Sequence, residues 1–175
     1  SRHRGMSSIF MAINRNKRSL AIDLKRPEGV AAVKRLLPTI DVLVHNMRTA
    51  PMDRLGLGYA TLSASKPGLI VCDISGYGDD PANPGPYRDK KAYDLLIQSE
   101  SGFLSVTGSP EDPAKAGCSI ADIAAGMYAY SSILAALIQR GRTGRGCRID
   151  VSMLESMVEW MSYPMYYAFE GAEPP

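Results

Sequence analysis

The sequence Leu20-Ala21-Ile22-Asp23-Leu24 is the first of three short apolar runs from which the fold can be predicted. The second run is Asp41-Val42-Leu43-Val44-His45, and the third is Leu69-Ile70-Val71-Cys72-Asp73-Ile74. Each run has the length and apolar character of a buried strand. Apolar residues at helical spacing follow Pro27, and another helical stretch covers residues 59–65. Strand, helix, strand, helix, strand is typical of an α/β protein whose parallel, doubly wound sheet is flanked by helices.

The rest of the chain adds longer loops and one long apolar helix. Residues 75–90 contain three Gly and three Pro, so regular structure is not expected there. The apolar stretch 119–138 approaches membrane-spanning length, but Asp122 and two serines interrupt it, which favours a buried helix over a membrane span. The other predicted elements are a helix at 91–101, a loop at 108–117, the long helix at 120–139, a strand at 147–152 and a helix at 154–169.

Composition and charge exclude several classes of protein. The chain has 175 residues, 45% of them hydrophobic and 22% charged, which fits one globular domain and neither a disordered nor a fibrous protein. Its formal net charge of +2 argues against a general nucleic-acid or membrane-surface binder. The three cysteines lack CxxC spacing, which argues against a disulfide framework or a zinc site. We therefore expect a cytoplasmic protein without a metal, a membrane span or a nucleic-acid partner.

Basic and amide side chains follow the ends of the predicted strands. Lys25 follows the first strand, Asn46, Met47 and Arg48 follow the second, and Arg54 comes a little later. Ligands of parallel sheets bind beyond the carboxyl ends of the strands, so this pattern predicts an anionic, phosphate-bearing ligand there. The alternative is that each cation is an ordinary solvated residue. Neither a P-loop nor a complete G-x-G-x-x-G fingerprint is present, so ATP and adenine dinucleotides are not favoured.

Asp122 is the acidic residue at the start of the long apolar helix, where Ala121, Ala124, Ala125 and Gly126 would let a ligand approach closely. Free N–H groups and the positive end of a helix favour an ionised carboxylate. A poorly hydrated carboxylate is a competent nucleophile toward an activated acyl group. The alternative is an ordinary acidic residue in the first turn of a helix.

Six short motifs occur in a characteristic order. They are Asn16-Lys17-Arg18-Ser19-Leu20, Asp23-Leu24-Lys25 with Pro27-Glu28-Gly29, Asp41-Val42-Leu43-Val44 with Asn46, Asp53-Arg54-Leu55-Gly56, Ser75-Gly76-Tyr77-Gly78 and Thr143-Gly144-Arg145-Gly146. Along essentially its whole length the sequence therefore resembles the family III CoA-transferases, which include formyl-CoA transferase, carnitine CoA-transferase and the α-methylacyl-CoA racemases. The resemblance implies a Rossmann-like fold with residues 1–175 as the central part of its large CoA-binding domain. It also implies an interlocked homodimer, with further N-terminal and C-terminal parts outside this chain.

The same resemblance implies the active-site residues and the substrates. It makes Asp122 the nucleophile that attacks an acyl-CoA thioester, with a small carboxylic acid as the acceptor of CoA. It places the nucleotide of coenzyme A along Ile22, Asp23, Leu24, Lys25, Asn46, Met47, Arg48 and Arg54. It places the pantetheine arm and the active centre beside Lys91, Tyr93 and Asp94. The identity of donor and acceptor is left open, with a weak preference for a dicarboxylate.

Two other functions compete with CoA transfer. Racemases of this family have a His-Asp pair where this chain has Tyr93-Asp94. Because the usual pKa of tyrosine is near 10, a tyrosine is poorly suited to abstract a proton at neutral pH, and racemisation is disfavoured. His3 and His45 do not occupy that position and are predicted to be structural or surface residues. A nucleic-acid-binding module built on Arg15, Lys17 and Arg18 is the alternative outside enzymology, and it predicts steeply salt-dependent binding.

Overall fold

A computed structural model of the protein describes residues 2, 3, 5–169 and 171. The side chain of His3 lies outside the described part, so its predicted role stays a prediction. The strands are β1 (Arg2–His3), β2 (Met6–Ser7), β3 (Val42–His45), β4 (Ile70–Ser75) and β5 (Arg148–Ser152). The helices are α1 (Ser8–Ile13), α2 (Pro27–Leu36), α3 (Thr49–Arg54), α4 (Tyr59–Ser65), α5 (Asp94–Glu100), α6 (Ile120–Thr143), α7 (Met153–Trp160) and α8 (Ser162–Phe169). Short 3-10 turns cover Leu37–Thr39 and Phe103–Val106.

The main sheet is parallel, with the strand order β3-β4-β5. The central strand β4 carries the most deeply buried run, in which Ile70, Val71 and Cys72 are at most 1% exposed. His45 of β3 lies opposite Asp73 of β4, and Asp73 lies opposite Asp150 of β5. A separate antiparallel pair joins β1 to β2. The predicted α/β class with a parallel sheet flanked by helices is therefore confirmed.

The predicted strand at residues 20–24 is wrong. Residues 17–23 have no regular secondary structure and pair with none of the strands that the structure describes. The segment instead turns into α2, because Asp23 Oδ1 accepts a hydrogen bond from Lys25 N at 2.9 Å. Gly29 lies so close that a Cβ atom there would be 2.0 Å from the Asp23 carbonyl oxygen. An apolar pattern predicts a strand only where a neighbouring strand is available to pair with it, and the pattern carries no information about that neighbour.

Helix α6 has one buried face of small residues and one exposed face of larger apolar residues. Its small residues Ala121, Ala124, Ala125, Ala129 and Ala136 are buried, and the helix packs against β4, β5 and α7. Larger residues on the other face are exposed, namely Ile123, Met127, Tyr130, Leu134 and Ile138. The expectation of a buried helix is therefore wrong for one face. Helix α6 is long and apolar enough to cross a membrane by length and composition alone. In the structure, 28% of its most apolar 18-residue segment is buried.

The predicted helix at 154–169 is two helices, α7 and α8, because the helical structure is interrupted at Met161. Ser152 caps α7 by accepting a hydrogen bond from Glu155 N at 3.3 Å. Four helices and strands were not predicted at all, namely β1, β2, α1 and α3. The short helix α3 directly follows residues 46–48 and thereby holds them at the end of β3.

Candidate active site

A cleft of about 880 Å³ lies beyond the carboxyl ends of β3 and β4. One wall is the segment 46–48 that follows β3, and the other is the loop 88–93 that precedes α5. The first turns of α6 contribute Asp122, Ala125 and Gly126. The rule that ligand sites lie at strand ends therefore locates the cleft correctly, although the first predicted strand does not belong to the sheet.

Asp122 lies on the wall of this cleft, where the residue as a whole is exposed but its carboxylate is partly shielded from water. Ala125 and Gly126 line the cleft one helical turn further on, so no large side chain separates the carboxylate from the cavity on that face. Burial raises the pKa of Asp122, and the nearby Asp94 carboxylate raises this pKa further. The sequence-based expectation that the helix start favours the ionised form is wrong in direction, because desolvation and the like charge of Asp94 favour the protonated form.

Asp94 lines none of the cavities described here and instead holds the start of α6. Its Oδ1 accepts a hydrogen bond from Ala121 N at 2.8 Å, and its Oδ2 accepts one from Gln98 Nε2 at 2.6 Å. Gln98 is fully buried and accepts a further hydrogen bond from Ala116 N at 2.9 Å. Asp94 thus orients the turn that carries Asp122 and places a negative charge near it.

Six of the residues predicted for the site line the cleft together. They are Asn46, Met47, Arg48, Lys91, Tyr93 and Asp122. Tyr93 is 66% exposed, and the Arg48 guanidinium donates hydrogen bonds to Asp89 Oδ1 at 3.1 Å and to the Asp89 carbonyl oxygen at 2.7 Å. Residues far apart in the sequence are thereby brought to one surface.

The other predicted ligand contacts lie around two further cavities. Ile22 and Asp23 line a cavity of about 660 Å³ beside α2. Leu24, Lys25 and Arg54 line another of about 380 Å³, together with the cations Arg26 and Lys34. Their predicted roles in binding the nucleotide stay predictions, but Lys25 and Arg54 do meet at one basic surface.

Several cations of the cleft were not predicted as site residues, namely Lys17, Arg88 and Lys90. The sequence places Lys17 in a family motif and in the alternative nucleic-acid-binding module, without indicating that it faces a ligand of the cleft. Arg88 and Lys90 lie in the Gly- and Pro-rich loop, whose length and composition mark it as irregular without showing which of its side chains face a ligand.

A buried ionic cluster beneath the cleft was also missed. Asp73 is 7% exposed; its Oδ1 lies 2.9 Å from His45 Nε2, and its Oδ2 accepts a hydrogen bond from Arg148 Nε at 2.6 Å. Burial alone would raise the pKa of Asp73, but the contacts with His45 and Arg148 outweigh it and lower this pKa. His45, predicted to be a structural or surface residue, makes this buried contact and also lines the cleft. An acidic residue inside an apolar strand was the available signal, because a buried charge requires a partner.

The thiol of Cys72 lies in the sheet below the cleft. Burial, with the nearby Asp73 and Asp150 carboxylates, raises the pKa of Cys72 to about 11, so it is protonated at neutral pH and is a poor nucleophile. Within the described part of the chain, no group of three or more His, Cys, Asp or Glu side chains is arranged to hold a metal ion.

Comparison with known proteins identifies the family. The model of CoA-transferase family III matches residues 1–175. The succinate–glutarate CoA-transferase of Agrobacterium fabrum is 44% identical over 170 residues, which are 96% of this chain and 42% of that protein. The human succinyl-CoA:glutarate CoA-transferase is 38% identical over 159 residues, which are 90% of this chain and 35% of that protein.

A solved structure shows the same fold. The chain resembles a CAIB/BAIF family protein from Brucella suis with a TM-score of 0.89 and 37% identity, covering 98% of this chain and 46% of that one. The chain thus spans less than half the length of these relatives. Since the family model matches the whole printed sequence, the chain belongs to CoA-transferase family III.

Proposed function

We propose that the protein transfers coenzyme A from an acyl-CoA thioester to a carboxylic acid, with Asp122 as the nucleophile. The observation that carries this proposal is the position of Asp122 on a cleft at the strand ends whose walls bear amide and cationic groups. Family membership and the names of the relatives support transfer of CoA as the reaction. Because the chain is shorter than those relatives, the proposal concerns the full-length protein that contains it.

In the proposed reaction, a carboxylate oxygen of Asp122 attacks the thioester carbonyl carbon of the donor. The C–S bond breaks, leaving an aspartyl acyl anhydride and CoA thiolate. The thiolate then attacks the Asp122 carbonyl carbon. This step releases the acyl group of the donor as a carboxylate and leaves an aspartyl-CoA thioester. The acceptor carboxylate attacks this thioester, and the released thiolate takes the acceptor acyl group from the resulting anhydride. The sequence of steps regenerates Asp122 and divides one difficult exchange into easier acyl transfers.

The surroundings of Asp122 suit these steps. A partly desolvated carboxylate with a raised pKa is a stronger nucleophile than an ordinary one, provided that the pH keeps it ionised. Lys17, Lys90 and Lys91 line the same cleft and can balance the negative charge of the thiolate and of the acceptor. Lys25, Arg26, Lys34 and Arg54 around the 380 Å³ cavity support the proposal that the phosphates of CoA lie there.

The covalent step is tested by trapping in the full-length protein. We expect incubation with an acyl-CoA followed by hydroxylamine or borohydride to modify Asp122, as shown by mass spectrometry of the peptide. Asp122→Asn should abolish the adduct and lower turnover by at least about 10³-fold, as expected for loss of a covalent nucleophile. Glu111→Gln, a substitution of an exposed carboxylate outside the cleft, serves as the control and should retain both. Turnover without any adduct at Asp122 would reject the mechanism.

We also propose a dicarboxylate as one substrate, supported by the succinate and glutarate named for the relatives. A panel of CoA donors crossed with carboxylic acids, followed by chromatography, tests this proposal. We expect dicarboxylates to exceed monocarboxylates of equal length as acceptors. Equal rates for both classes would contradict the preference.

Racemisation and nucleic-acid binding are the competing functions. Tyr93 is exposed, and both carboxylate oxygens of Asp94 accept hydrogen bonds within the fold, which supports transfer over racemisation. A racemase would incorporate deuterium at the α-carbon of a 2-methylacyl-CoA in heavy water, and a transferase would not. Steeply salt-dependent binding of RNA or DNA would instead favour the nucleic-acid module.

A cytoplasmic location and an interlocked homodimer are further proposals for the full-length protein. The three free cysteines, Cys72, Cys118 and Cys147, support a reducing compartment. The exposed apolar face of α6 supports burial against further chain or against a second subunit. Light scattering of the full-length protein tests the dimer, and fractionation of the source cells tests the location.

A further inference from the structure

The ionic cluster around Asp73 extends to one wall of the cleft. Arg148, which donates to Asp73, also donates a hydrogen bond from Nη2 to Thr49 Oγ1 at 3.1 Å. Thr49 directly follows the wall segment 46–48, and His45, which contacts Asp73 through Nε2, directly precedes it. The wall segment is therefore anchored at both ends by the same buried cluster.

Thr49 also connects this wall to the opposite one. Its backbone N–H donates to Asp79 Oδ2 at 2.5 Å, and its Oγ1 donates to the Asp79 carbonyl oxygen at 3.2 Å. Asp79 is 7% exposed and accepts a hydrogen bond from Arg88 Nη2 at 2.9 Å. Arg88 begins the loop 88–93 that carries Lys90, Lys91 and Tyr93 into the cleft. One continuous path of polar contacts thus links the sheet to both walls.

We propose that Asp73, Thr49 and Asp79 are positioning residues that set the separation of the two cleft walls and hence the affinity for acyl-CoA. This inference rests on the proposed function. None of the three acts on the reacting atoms; each holds a segment that would contact the substrate. The contacts of Asp73 and Asp79 are charge-assisted and shielded from water, so they constrain geometry more strongly than the exposed pair Arg48–Asp89, which also joins the walls.

Substitutions at Thr49 separate positioning from mere stabilisation of the sheet. In the full-length protein, Thr49→Val removes the hydroxyl that joins Arg148 to Asp79 but keeps the backbone N–H bond and the size of the side chain. We expect KM for acyl-CoA to rise about 3- to 10-fold, the range for loss of hydrogen bonds, with kcat changed less than about 2-fold. Thr49→Ser restores the hydroxyl and should return KM to the wild-type value.

Asp73→Asn should raise KM further, because it weakens both anchors of segment 46–48. Should that variant fail to fold, the two Thr49 variants still decide the question. Asp41→Asn is the matched control, since Asp41 pairs with Arg140 at 3.1 Å on the surface, where its side chain is 71% exposed. This control should have wild-type KM.

Hydrogen–deuterium exchange gives a readout that does not depend on activity. In Thr49→Val, exchange should increase in peptides covering residues 46–49 and 86–93 and stay unchanged in α2. If exchange is unchanged in both peptides, the two walls are not coupled through Thr49. If Thr49→Val lowers the melting temperature but leaves KM at the wild-type value, the three residues do not set the affinity for acyl-CoA. If wild-type protein neither binds CoA nor transfers it, the proposed function fails, whereas exchange still decides whether the walls are coupled.

Discussion

Asp122 combines two requirements that oppose each other at the residue scale. In the proposed mechanism it must be ionised to attack a thioester, yet burial and the charge of Asp94 raise its pKa. A carboxylate of this kind retains less hydration, which increases its nucleophilicity when it is ionised. The raised pKa therefore predicts an acid limb in the pH dependence of the covalent step, with activity lost as the pH falls through that pKa.

Asp94→Asn tests the electrostatic part of this account in the full-length protein. Removing the negative charge should lower the pKa of Asp122, so the acid limb of adduct formation should move to lower pH. The asparagine oxygen can still accept the hydrogen bond from Ala121 N at the start of α6, whereas the amide nitrogen cannot accept the one from Gln98 Nε2, which is lost. The measurement is the rate of adduct formation against pH under single-turnover conditions.

Glu111→Gln removes one negative charge from an exposed loop position and controls for the change in net charge. Its acid limb should coincide with that of the wild-type protein. If Asp94→Asn also leaves the limb in place, Asp94 does not influence the ionisation of Asp122, and burial alone accounts for the raised pKa.

At the scale of elements, the approach of β5 to the sheet depends on a glycine, Gly146, which lies two residues before the strand. A Cβ atom at Gly146 would lie 1.9 Å from the carbonyl oxygen of Leu69, which directly precedes β4. Backbone atoms in a sheet cannot move away as the end of a flexible side chain can. Gly146 is therefore required for the approach of the turn after α6 to β4.

Gly146→Ala should destabilise the protein by about 1–3 kcal/mol, the usual cost of overpacking, and lower the melting temperature accordingly. Gly141→Ala is the matched control, because Gly141 lies within α6 and a Cβ atom there would meet nothing within 4 Å beyond its chain neighbours and the adjacent backbone of its own helix. Alanine is the better helix former, so this control should be stabilised by up to about 1 kcal/mol. Equal melting temperatures for the two variants, measured by scanning calorimetry, would refute the steric account.

At the scale of the whole molecule, buried carboxylates link stability to pH. The pKa values of Asp73 and Asp79 are both lowered from 3.8, in each case because ion pairs and hydrogen bonds outweigh burial. A carboxylate with a lowered folded-state pKa contributes stability above its unfolded-state pKa and loses that contribution as the pH falls through the folded-state value. We therefore expect the melting temperature of the protein to fall as the pH is lowered from about 5 toward 2.

Asp73→Asn should reduce stability at neutral pH by about 1–3 kcal/mol, because Arg148 loses a buried acceptor. It should also make the dependence of melting temperature on pH shallower, since one of the titrating groups is gone. Asp41→Asn, in which the altered residue is exposed, should follow the wild-type curve. A variant at Asp73 with the full wild-type slope would show that its ionisation is not linked to folding.

The local pattern of residues was enough to predict the α/β class, two of the sheet strands in the first half of the chain, and a cleft beyond the strand ends. These features depend on spacing and composition within short segments, as in residues 41–45 and 69–74. The role proposed for Asp122 comes from the resemblance to a known family, and its position at a helix start had only suggested it. Six of the predicted site residues do meet in one cleft.

Features that depend on a distant partner needed the three-dimensional arrangement. The run 20–24 has the pattern of a strand but lacks a paired neighbour among the described residues. The direction of the pKa shift of Asp122 follows from Asp94, 28 positions away in the chain, and from burial. The path from Asp73 through Arg148 to Thr49 joins three elements. Desolvation and ion pairing act through space, so spacing along the chain could not predict them.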